Sequence, residues 1–431
     1  MSADVLVVGA GLAGLSCALD LQRAGRQVLL LEAEPEVGGR VRTERREDGF
    51  LLDRGFQVLF PRYPSLRRAG VAPALGLVRV DSGALLFTGE RLERLPDPWK
   101  DGLAPRDWFG KPWLRLPDMA HVARLTLDVA SLPDERLLAE APGESTASLA
   151  LRLGFSAGFI ERFLRPFFGG VFLDRSLSTD ARLFRFYWKM LVVGGAALPR
   201  SGMQALPEAL ARQLLPGTLR IGARVVSLLR EHDRVCGVML EGGELLRADT
   251  VVLATEWPVT RRLSGLALPT REGRGVTTLH YATPAPVVSE RKIVLDGTGQ
   301  GPANLVAPMS LLVPERAPEG RHLMCVQVLG LPAEDDAGLD ASVRAQLARW
   351  FPRQDPSTWE CLAVHRIPHA QFAQDAGLGP VLADPRLQEG LVVASETLAE
   401  SSIEGALRGG SIAARAILAE SLPVTVAEVM P

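Results

Sequence analysis

Hydrophobic spacing changes twice within the first 32 residues, and each change predicts a different element. Asp4–Val8 is a short, largely β-branched run, as in a buried strand, and Gln27–Leu31 is a second apolar run. Between them, apolar residues such as Leu15 and Leu19 recur at helical spacing after a glycine-rich turn. The order strand, turn, helix, strand predicts a βαβ unit with parallel strands.

Three glycines in the turn have separate tasks if the unit binds a dinucleotide. Gly9 permits the sharp turn, Gly11 lets the backbone approach a pyrophosphate, and Gly14 lets helix and strand pack closely. The start of the helix, at Leu12 and Ala13, presents free N–H groups and the positive dipole end to the phosphates. We predict that all five residues bind the cofactor.

An acidic residue follows where a ribose would lie. Glu32 lies 18 residues after Gly14, so its carboxylate can accept hydrogen bonds from ribose hydroxyls and would repel the 2′-phosphate of NADP. We predict that its neighbour Ala33 also binds the cofactor. The acid favours FAD or NAD over NADP.

Two further motifs point to flavin. Gly38-Gly39-Arg40 comes soon after Glu32, and Phe50–Gln57 contains an Asp-Arg-Gly turn. With the βαβ unit, they resemble the flavin amine oxidase superfamily, in which a Gly-Gly-Arg element contacts the cofactor and an Asp-x-Gly turn passes near the flavin. Paired glycines let backbone amides reach phosphate oxygens, and an arginine supplies a cation. The resemblance implies FAD bound by Gly38, Gly39, Arg40, Gly55, Phe56 and Gln57.

Segments far along the chain complete this site. Residues 219–228, 235–240 and 250–255 predict three consecutive strands, so the FAD-binding domain is expected to be discontinuous. The resemblance implies that Val225 contacts adenine through its backbone and that Ala254 and Thr255 lie near the cofactor. Packing within a core strand explains these three residues equally well.

The last strand and helix also match the superfamily. An apolar run ends at Ser395-Glu396, where the family usually has Gly-Asp, and the resemblance implies that Glu396 binds the ribityl chain or lies beside the pyrophosphate. Ser402 and Ile403 start the next helix, and their amides are implied to face the flavin N1–C2=O edge. No cysteine or histidine stands near this strand in the setting used for covalent attachment, so we expect non-covalent FAD.

Small residues recur in two stripes along that helix, at Gly405, Gly409 and Ala413 and at Ala406, Gly410 and Ala414. Glycine inside a helix costs up to about 1 kcal/mol, so the stripes imply that something approaches the helix closely. The flavin ring and the sheet are the candidates.

The middle of the chain is dense in aromatic side chains, since 15 of 25 lie between residues 80 and 200. A well-packed core and a cavity for an apolar substrate both explain this density. The runs Arg165–Phe172 and Pro199–Met203 resemble phytoene-desaturase-like members of the superfamily more than monoamine oxidases. That resemblance favours an apolar, polyene-like substrate.

Polar candidates for chemistry are few. His369 and Gln371 lie in a stretch that the family places near the cavity, and we predict them as catalytic residues. Pro368, between His365 and His369, disfavours the helix that a metal site with this spacing needs, so no metal is expected. Many amine oxidases place a lysine near the flavin, but the comparable Lys292 has charged neighbours that predict a solvated turn.

Composition narrows the choice of partners. The formal net charge is −2 with no block of basic residues, which argues against nucleic acid. The four cysteines are far apart, which favours a reducing cytoplasm over a disulfide framework or a zinc site. No apolar run approaches the roughly 20 residues of a membrane span, which leaves peripheral membrane contact open. Oligomeric state stays open, as does the electron acceptor, whether oxygen, a quinone or a protein.

The sequence therefore predicts an α/β fold with two domains. These are a discontinuous Rossmann-type FAD-binding domain (1–75, 200–265 and 385–425) and an α+β substrate-binding domain (76–199 and 266–384). The predicted activity is hydride removal from a C–H bond of a largely apolar small-molecule substrate, with polyene desaturation ranked above amine oxidation. The alternatives are a flavin-dependent isomerase and a non-redox lipid- or prenyl-binding protein on the same fold.

Overall fold

The computed structural model describes residues 3–95, 111 and 113–420, which fall into two compact units. Unit 1 comprises Met1–Val41, Leu206–Thr270 and Pro380–Pro431, and unit 2 comprises Arg42–Ala205 and Arg271–Gly379. Residues 42–75, which the sequence assigns to the FAD-binding domain, belong to unit 2 by their contacts. The functional division stays a prediction, and its residues 1–2, 96–110, 112 and 421–425 lie outside the described residues.

The described strands are, in chain order, β1 (Val5–Val8), β2 (Val28–Leu31), β3 (Thr43–Arg45), β4 (Leu51–Asp53), β5 (Leu77–Arg79), β6 (Ala84–Phe87), β7 (Leu92–Leu95), β8 (Ala197–Pro199), β9 (Leu219–Arg220), β10 (Val225–Glu231), β11 (Arg234–Leu240), β12 (Leu245–Arg247), β13 (Thr250–Leu253), β14 (Gly273–Thr283), β15 (Val294–Asp296), β16 (Ala303–Ala307), β17 (His322–Leu329), β18 (Glu360–Phe372), β19 (Arg386–Gln388) and β20 (Leu391–Val393).

The described α-helices are α1 (Leu12–Arg23), α2 (Pro64–Ala69), α3 (Leu116–Ser131), α4 (Asp134–Ala139), α5 (Thr146–Arg152), α6 (Ala157–Phe159), α7 (Arg165–Phe172), α8 (Ala181–Lys189), α9 (Ala205–Ala211), α10 (Trp257–Ser264), α11 (Met309–Leu312), α12 (Asp336–Trp350) and α13 (Ile403–Glu420). Short π-helical turns, Ile160–Leu164 and Met190–Gly194, join α6 to α7 and extend α8. None of these described helices has the length and apolar character that a bilayer crossing requires.

Unit 1 is built on a mainly parallel sheet with the strand order β19-β20-β13-β1-β2-β9. β1 pairs in parallel with β2 on one side and with β13 on the other, so that Val5 lies opposite both Val28 and Thr250. All four residues of β1 are buried, as expected for a parallel sheet that is covered on both faces. This topology confirms the predicted Rossmann-type α/β fold.

A smaller antiparallel sheet in unit 1 has the order β10-β11-β12. Where the sequence predicts one strand over 219–228, the structure has two, because β9 pairs with β2 and the chain then joins the small sheet at Val225. Val225 and Val238 share a buried apolar cluster with Leu6 of β1 and Leu31 of β2. The small sheet therefore packs on the large one through apolar side chains.

Unit 2 contains a sheet with the order β18-β14-β17-β16-β15-β6-β7. Leu279 and Tyr281 of β14 and Val326 of β17 share a buried apolar cluster with Trp350 of α12. Because side chains alternate along a strand, the other face of β14 carries polar residues, including His280. The two faces of this sheet therefore differ in chemistry.

The aromatic segment of unit 2 is mainly a packed core. Phe168 stacks on Phe172 at 5.9 Å between ring centroids and meets Phe184 edge-on at 4.6 Å. Of the ten aromatic residues between 155 and 188, only Phe163 and Phe167 are not fully buried. Side chains that bury one another this completely explain the aromatic density by packing, so the density by itself does not indicate a cavity.

Candidate functional site

The glycine turn after β1 is shaped by close backbone contacts. Gly9 has φ +104°, and a Cβ there would lie 2.7 Å from the Ala254 carbonyl oxygen. A Cβ at Gly14 would lie 1.9 Å from the carbonyl oxygen of Gly9. A side chain is therefore sterically excluded at both positions, so these two glycines serve the packing of β1, α1 and the residues after β13.

Gly11 differs from its two partners because the space beside it is open. A Cβ at Gly11 would meet no atom within 4 Å, and Gly11 forms a bridge with Gly38 of the Gly-Gly loop. The loop is held there by the Gly38 N–H, which donates to the Ala10 carbonyl at 2.9 Å. Backbone approaches this space from two sides without side chains, as a phosphate cradle requires.

Glu32 ends β2 as a buried carboxylate that joins two backbone segments. Its Oε2 accepts from the Ala10 N–H at 2.7 Å and its Oε1 accepts from the Glu34 N–H at 2.9 Å. Ala33 lies half-buried between them. A carboxylate offers about four lone-pair positions, so two remain for the hydroxyls of a ribose. The sequence predicted the ribose role of Glu32 but not its bond to the turn.

Five further predicted residues of unit 1 follow the same strands or lie beside them. Leu12 and Ala13 form the first turn of α1, directly after Gly11. The Ala223 N–H donates to the Glu32 carbonyl at 2.7 Å, which brings the backbone leading to Val225 beside Glu32. After β13, the Ala254 N–H donates to the Val8 carbonyl at 2.8 Å, and Thr255 follows.

Arg40 and Glu396 form an ion pair in unit 1. The Nη2 group of Arg40 donates to Oε1 of Glu396. Glu396 and the nearby Glu256 raise the pKa of Arg40. Burial is the largest influence on the pKa of Glu396 and raises it, but the charge and hydrogen bond of Arg40, together with hydrogen bonds from the Glu396 backbone and Ser395, leave that pKa below its usual value. Both side chains are therefore charged at neutral pH, and Arg40 directly follows the Gly-Gly loop.

Ser402 caps α13, because the Gly405 N–H donates to its Oγ at 2.9 Å, and Ile403 is the first residue of the helix. The glycine stripes meet protein backbone. A Cβ would lie 1.6 Å from the Glu400 carbonyl oxygen at Gly405 and 2.2 Å from the Ala13 carbonyl oxygen at Gly410. These contacts account for the close approach that the stripes predicted, so a flavin ring is not needed to explain them.

Gly55, Phe56 and Gln57 belong to unit 2, whereas the glycine turn belongs to unit 1. Gly55 has φ +85°, and a Cβ there would lie 3.3 Å from Cδ1 of Ile367 in β18. Phe56 and Gln57 are half-buried. The other predicted cofactor residues belong to unit 1, whereas Gly55 lies against the long strand β18 of unit 2.

A buried ion pair stands just before that turn, and the sequence did not reveal it. Arg316 is fully buried, and its Nη2 lies 2.9 Å from Oδ2 of Asp53. Asp53 Oδ1 accepts from Thr43 Oγ1 at 2.6 Å and from the Met203 N–H at 2.9 Å. Asp53 belongs to the Asp-Arg-Gly motif, which was the available signal, whereas Arg316 has no local motif.

Two histidines on the polar face of the unit 2 sheet also escaped prediction. His280 is buried, its ring lies 5.2 Å from that of His365, and among the described residues neither ring nitrogen of His280 has a hydrogen-bond partner. Burial, with the nearby His365, lowers the pKa of His280 to about 3. His365 reaches Oε2 of Glu44 at 3.3 Å, yet burial lowers its pKa as well.

The two predicted catalytic residues lie on β18 in different settings. Gln371 Nε2 donates to the Val171 carbonyl of α7 at 2.8 Å, which fixes the orientation of its amide. His369 is exposed, next to Gly273 of β14. Lys292 was expected in a solvated turn, but it is buried and its ammonium donates to the Ser82 carbonyl. That expectation was wrong because the side chain folds inward to a backbone acceptor.

Comparison with known proteins agrees with this geometry. The family model of flavin-containing amine oxidoreductases matches residues 12–418. The chain is 31% identical over 370 residues to the phytoene dehydrogenase of Streptomyces griseus, an alignment that covers 74% of this chain and 71% of that protein. It is 31% identical over 283 residues to the hydroxyneurosporene desaturase of Cereibacter sphaeroides, covering 58% of this chain and 55% of that protein.

Other matches are shorter or concern the fold alone. The L-amino-acid oxidase of Pseudechis australis is 53% identical over only 64 residues, which is 15% of this chain and 12% of that protein. The crystal structure of an oxidoreductase from Methanosarcina mazei superposes with a TM-score of 0.72 at 18% identity, covering 96% of this chain and 99% of that one. At that identity, the superposition bears on the fold only.

Proposed function

The chain belongs to the family of flavin-containing amine oxidoreductases, in its phytoene-desaturase-like branch, and from this premise we propose that it binds FAD non-covalently and desaturates a largely apolar, polyene-like substrate. That it is a flavin-dependent oxidoreductase follows from the family. The identity of the cofactor as FAD, its non-covalent binding and the substrate class are the proposed part.

One observation carries the choice of substrate. Similarity to the phytoene dehydrogenase extends over 370 residues, whereas the match to the L-amino-acid oxidase covers 64. A substrate pocket is built from residues that are distant in sequence, so similarity along most of the chain bears on it more than a short match does. Polyene desaturation therefore ranks above amine oxidation.

The described residues of unit 1 fit the adenosine diphosphate part of FAD. The open space at Gly11 admits phosphate oxygens, Glu32 keeps lone pairs for ribose hydroxyls, and Arg40 supplies positive charge. When bound, FAD supplies the hydride acceptor of the reaction. The protein contributes binding and orientation.

Lysines give no support to amine oxidation. Each of the described lysines donates to a backbone carbonyl, Lys111 to that of Arg94, Lys189 to that of Leu132 and Lys292 to that of Ser82. Lys100 lies outside the described residues. A lysine that serves as a structural anchor is poorly suited to hold a water near a flavin, so these contacts favour a substrate other than an amine.

His369 and Gln371 remain our candidates for acting on the substrate. Gln371 donates its Nε2–H group to Val171, so its Oε1 points elsewhere and is an acceptor of fixed direction. His369 is exposed. Of the two, Gln371 has the more rigid setting, which suits a group that orients a substrate.

The test is a visible spectrum followed by anaerobic reduction. The purified protein should show flavin absorbance that acid precipitation releases into the supernatant, because the cofactor is not covalently attached. Under anaerobic conditions, a polyene such as phytoene should bleach the flavin band and simple amines should not. Bleaching by amines alone would reverse the ranking. Conversion of substrate without lasting bleaching would indicate an isomerase, and a colourless protein that refuses added FAD would indicate a non-redox binding protein.

A further inference from the structure

Glu396 and Arg40 come from two segments whose backbones are both held by contacts within unit 1. Glu396 follows Ser395, which caps a short 3₁₀ turn by accepting the Thr397 N–H on its Oγ at 3.3 Å. The carbonyl of Ser395 also lies against Gly409 of α13, where a Cβ would come within 1.9 Å of it. Glu396 is therefore attached to a packed part of the backbone.

Arg40 follows a loop whose backbone is also held, since the Gly38 N–H donates to the Ala10 carbonyl at 2.9 Å and the Val41 N–H donates to the Gly38 carbonyl at 3.1 Å. It directly follows Gly38 and Gly39, whose φ values are +126° and +59°. Backbone bonds in the loop leave the torsions of the long Arg40 side chain to be set by the contacts of that side chain. The bond to Glu396 is one contact that directs the Arg40 guanidinium.

The exposed fraction of each side chain indicates which member of the ion pair a ligand would contact. The Arg40 side chain is 30% exposed and that of Glu396 is 13% exposed. Both oxygens of Glu396 also have donors, since Oε1 accepts from Arg40 and Oε2 accepts from Ser395 Oγ at 3.3 Å. The accessible member of the pair is thus the cation, and the carboxylate lies behind it.

We propose that Glu396 is a positioning residue that acts through Arg40, holding the guanidinium toward the phosphates of the cofactor, rather than a direct ligand of the ribityl chain. This inference rests on the proposed binding of FAD and assigns Glu396 a different partner from the one that family resemblance implies. It also explains why a negative side chain is tolerated next to an anion site. The attached arginine neutralises its charge and presents hydrogen-bond donors in its place.

The two roles of Glu396 differ in which ligands they affect. ADP contains a diphosphate but no ribityl chain, so a residue that orients Arg40 affects ADP and FAD alike, whereas a ribityl ligand affects FAD alone. Glu396→Asp keeps the charge but shortens the side chain by one methylene, about 1.5 Å. The shorter carboxylate should no longer hold Arg40 in place.

The experiment measures Kd for FAD and for ADP with apo-protein of the full chain, by flavin fluorescence quenching and by competition. We expect Glu396→Asp and Glu396→Gln to weaken both ligands by a similar factor, about tenfold. Arg40→Gln should do the same and should flatten the dependence of Kd on salt. Adding Glu396→Gln to Arg40→Gln should then cause no further loss, since Glu396 has nothing left to position.

Controls separate these effects from misfolding and from failure of the proposed function. Glu389→Gln removes the carboxylate of an exposed ion pair with Arg234 in the same unit and should leave both Kd values and the melting temperature unchanged. Weakened FAD binding with unchanged ADP binding, additive effects in the double variant, or no change in Glu396→Asp would each overturn the positioning role. Wild-type protein that binds neither ligand would overturn the proposed function and this inference together.

Discussion

The backbone N–H of Ala10 donates to Oε2 of Glu32 across 2.7 Å, although the two residues are 22 positions apart. This bond joins the glycine turn after β1 to the acid at the end of β2. The groups that we expect to bind the pyrophosphate and the ribose are therefore hydrogen-bonded to each other. A change at the acid should affect both the stability of the turn and the affinity for a dinucleotide.

Replacing Glu32 by Gln should reveal this double role. An amide has a single acceptor oxygen, so one of the two backbone N–H groups that now donate to Glu32 would face an NH₂ group. We expect a loss of about 1–3 kcal/mol in the free energy of unfolding, measured with urea on apo-protein, and a Kd for FAD at least about tenfold higher. Glu34→Gln, at an exposed neighbour, should change either value little.

Replacement by alanine should affect cofactor affinity at one glycine of this motif and fold stability at another. At Gly11 a methyl group meets no atom within 4 Å, so Gly11→Ala should keep the stability of the apo-protein within about 1 kcal/mol while FAD binding weakens at least tenfold. At Gly14 a Cβ would lie 1.9 Å from a carbonyl oxygen, so Gly14→Ala should destabilise the fold by about 3 kcal/mol or more. Urea unfolding measures the stability of each variant, and titration with FAD measures its affinity. An equal loss of stability in the two variants would contradict the open space beside Gly11.

The buried pair Asp53–Arg316 should contribute strongly to the stability of unit 2. Asp53→Asn leaves the fully buried guanidinium without a counter-charge, and breaking such a pair by removing one partner costs about 3–5 kcal/mol. The matched control is Glu360→Gln at the exposed pair Glu360–Arg321, expected to cost less than about 1 kcal/mol. The midpoints of denaturant-induced unfolding measure the loss of stability in the two variants. Similar midpoints would show that water reaches Arg316.

His280 should make the fold sensitive to acid. Burial holds its pKa at about 3, whereas an unfolded histidine titrates near 6.5. Above pH 6.5 neither state is protonated. As the pH falls from 6.5 toward 3, the unfolded state binds a proton that the folded state does not, so stability declines by up to about 1.4 kcal/mol per pH unit.

His280→Leu should remove part of that slope in unfolding measured between pH 7 and pH 4.5. His365, Cys325, Asp53 and Arg316 surround the ring and remain in the variant, and His365 has the same direction of pKa shift, so some slope should persist. The control is His232→Asn, because His232 is exposed with φ +54°, a conformation that asparagine tolerates. An unaltered slope in His280→Leu would contradict burial of a neutral imidazole.

Gln371 and His369 should differ in their effect on turnover. Gln371→Leu removes the fixed amide and should lower kcat/KM for a polyene by about tenfold or more, at an FAD affinity close to that of the wild type. His369→Gln keeps hydrogen bonding but removes proton transfer, and general acid–base catalysis contributes about 10²–10⁴-fold. Steady-state kinetics decide the matter: wild-type rates in His369→Gln would remove His369 from the candidates.

Local patterns were sufficient for the parts of this protein that are contiguous in sequence. Strand, glycine turn, helix and acid occur in order within 32 residues, and each has a local physical cause, so the βαβ unit could be predicted. The return of β structure near residue 220 was predictable too. The break between β9 and β10 was not, because it depends on which sheet each half of the segment joins.

Contacts between distant segments were decided by the tertiary structure alone. The ion pair of Arg40 with Glu396 joins residues 356 positions apart, and that of Asp53 with Arg316 joins residues whose neighbourhoods share no motif. Burial of Lys292 and His280 likewise depends on what packs over them. A sequence records propensities that act over a few residues, whereas charge pairing, pKa and burial depend on distances that only chain folding establishes.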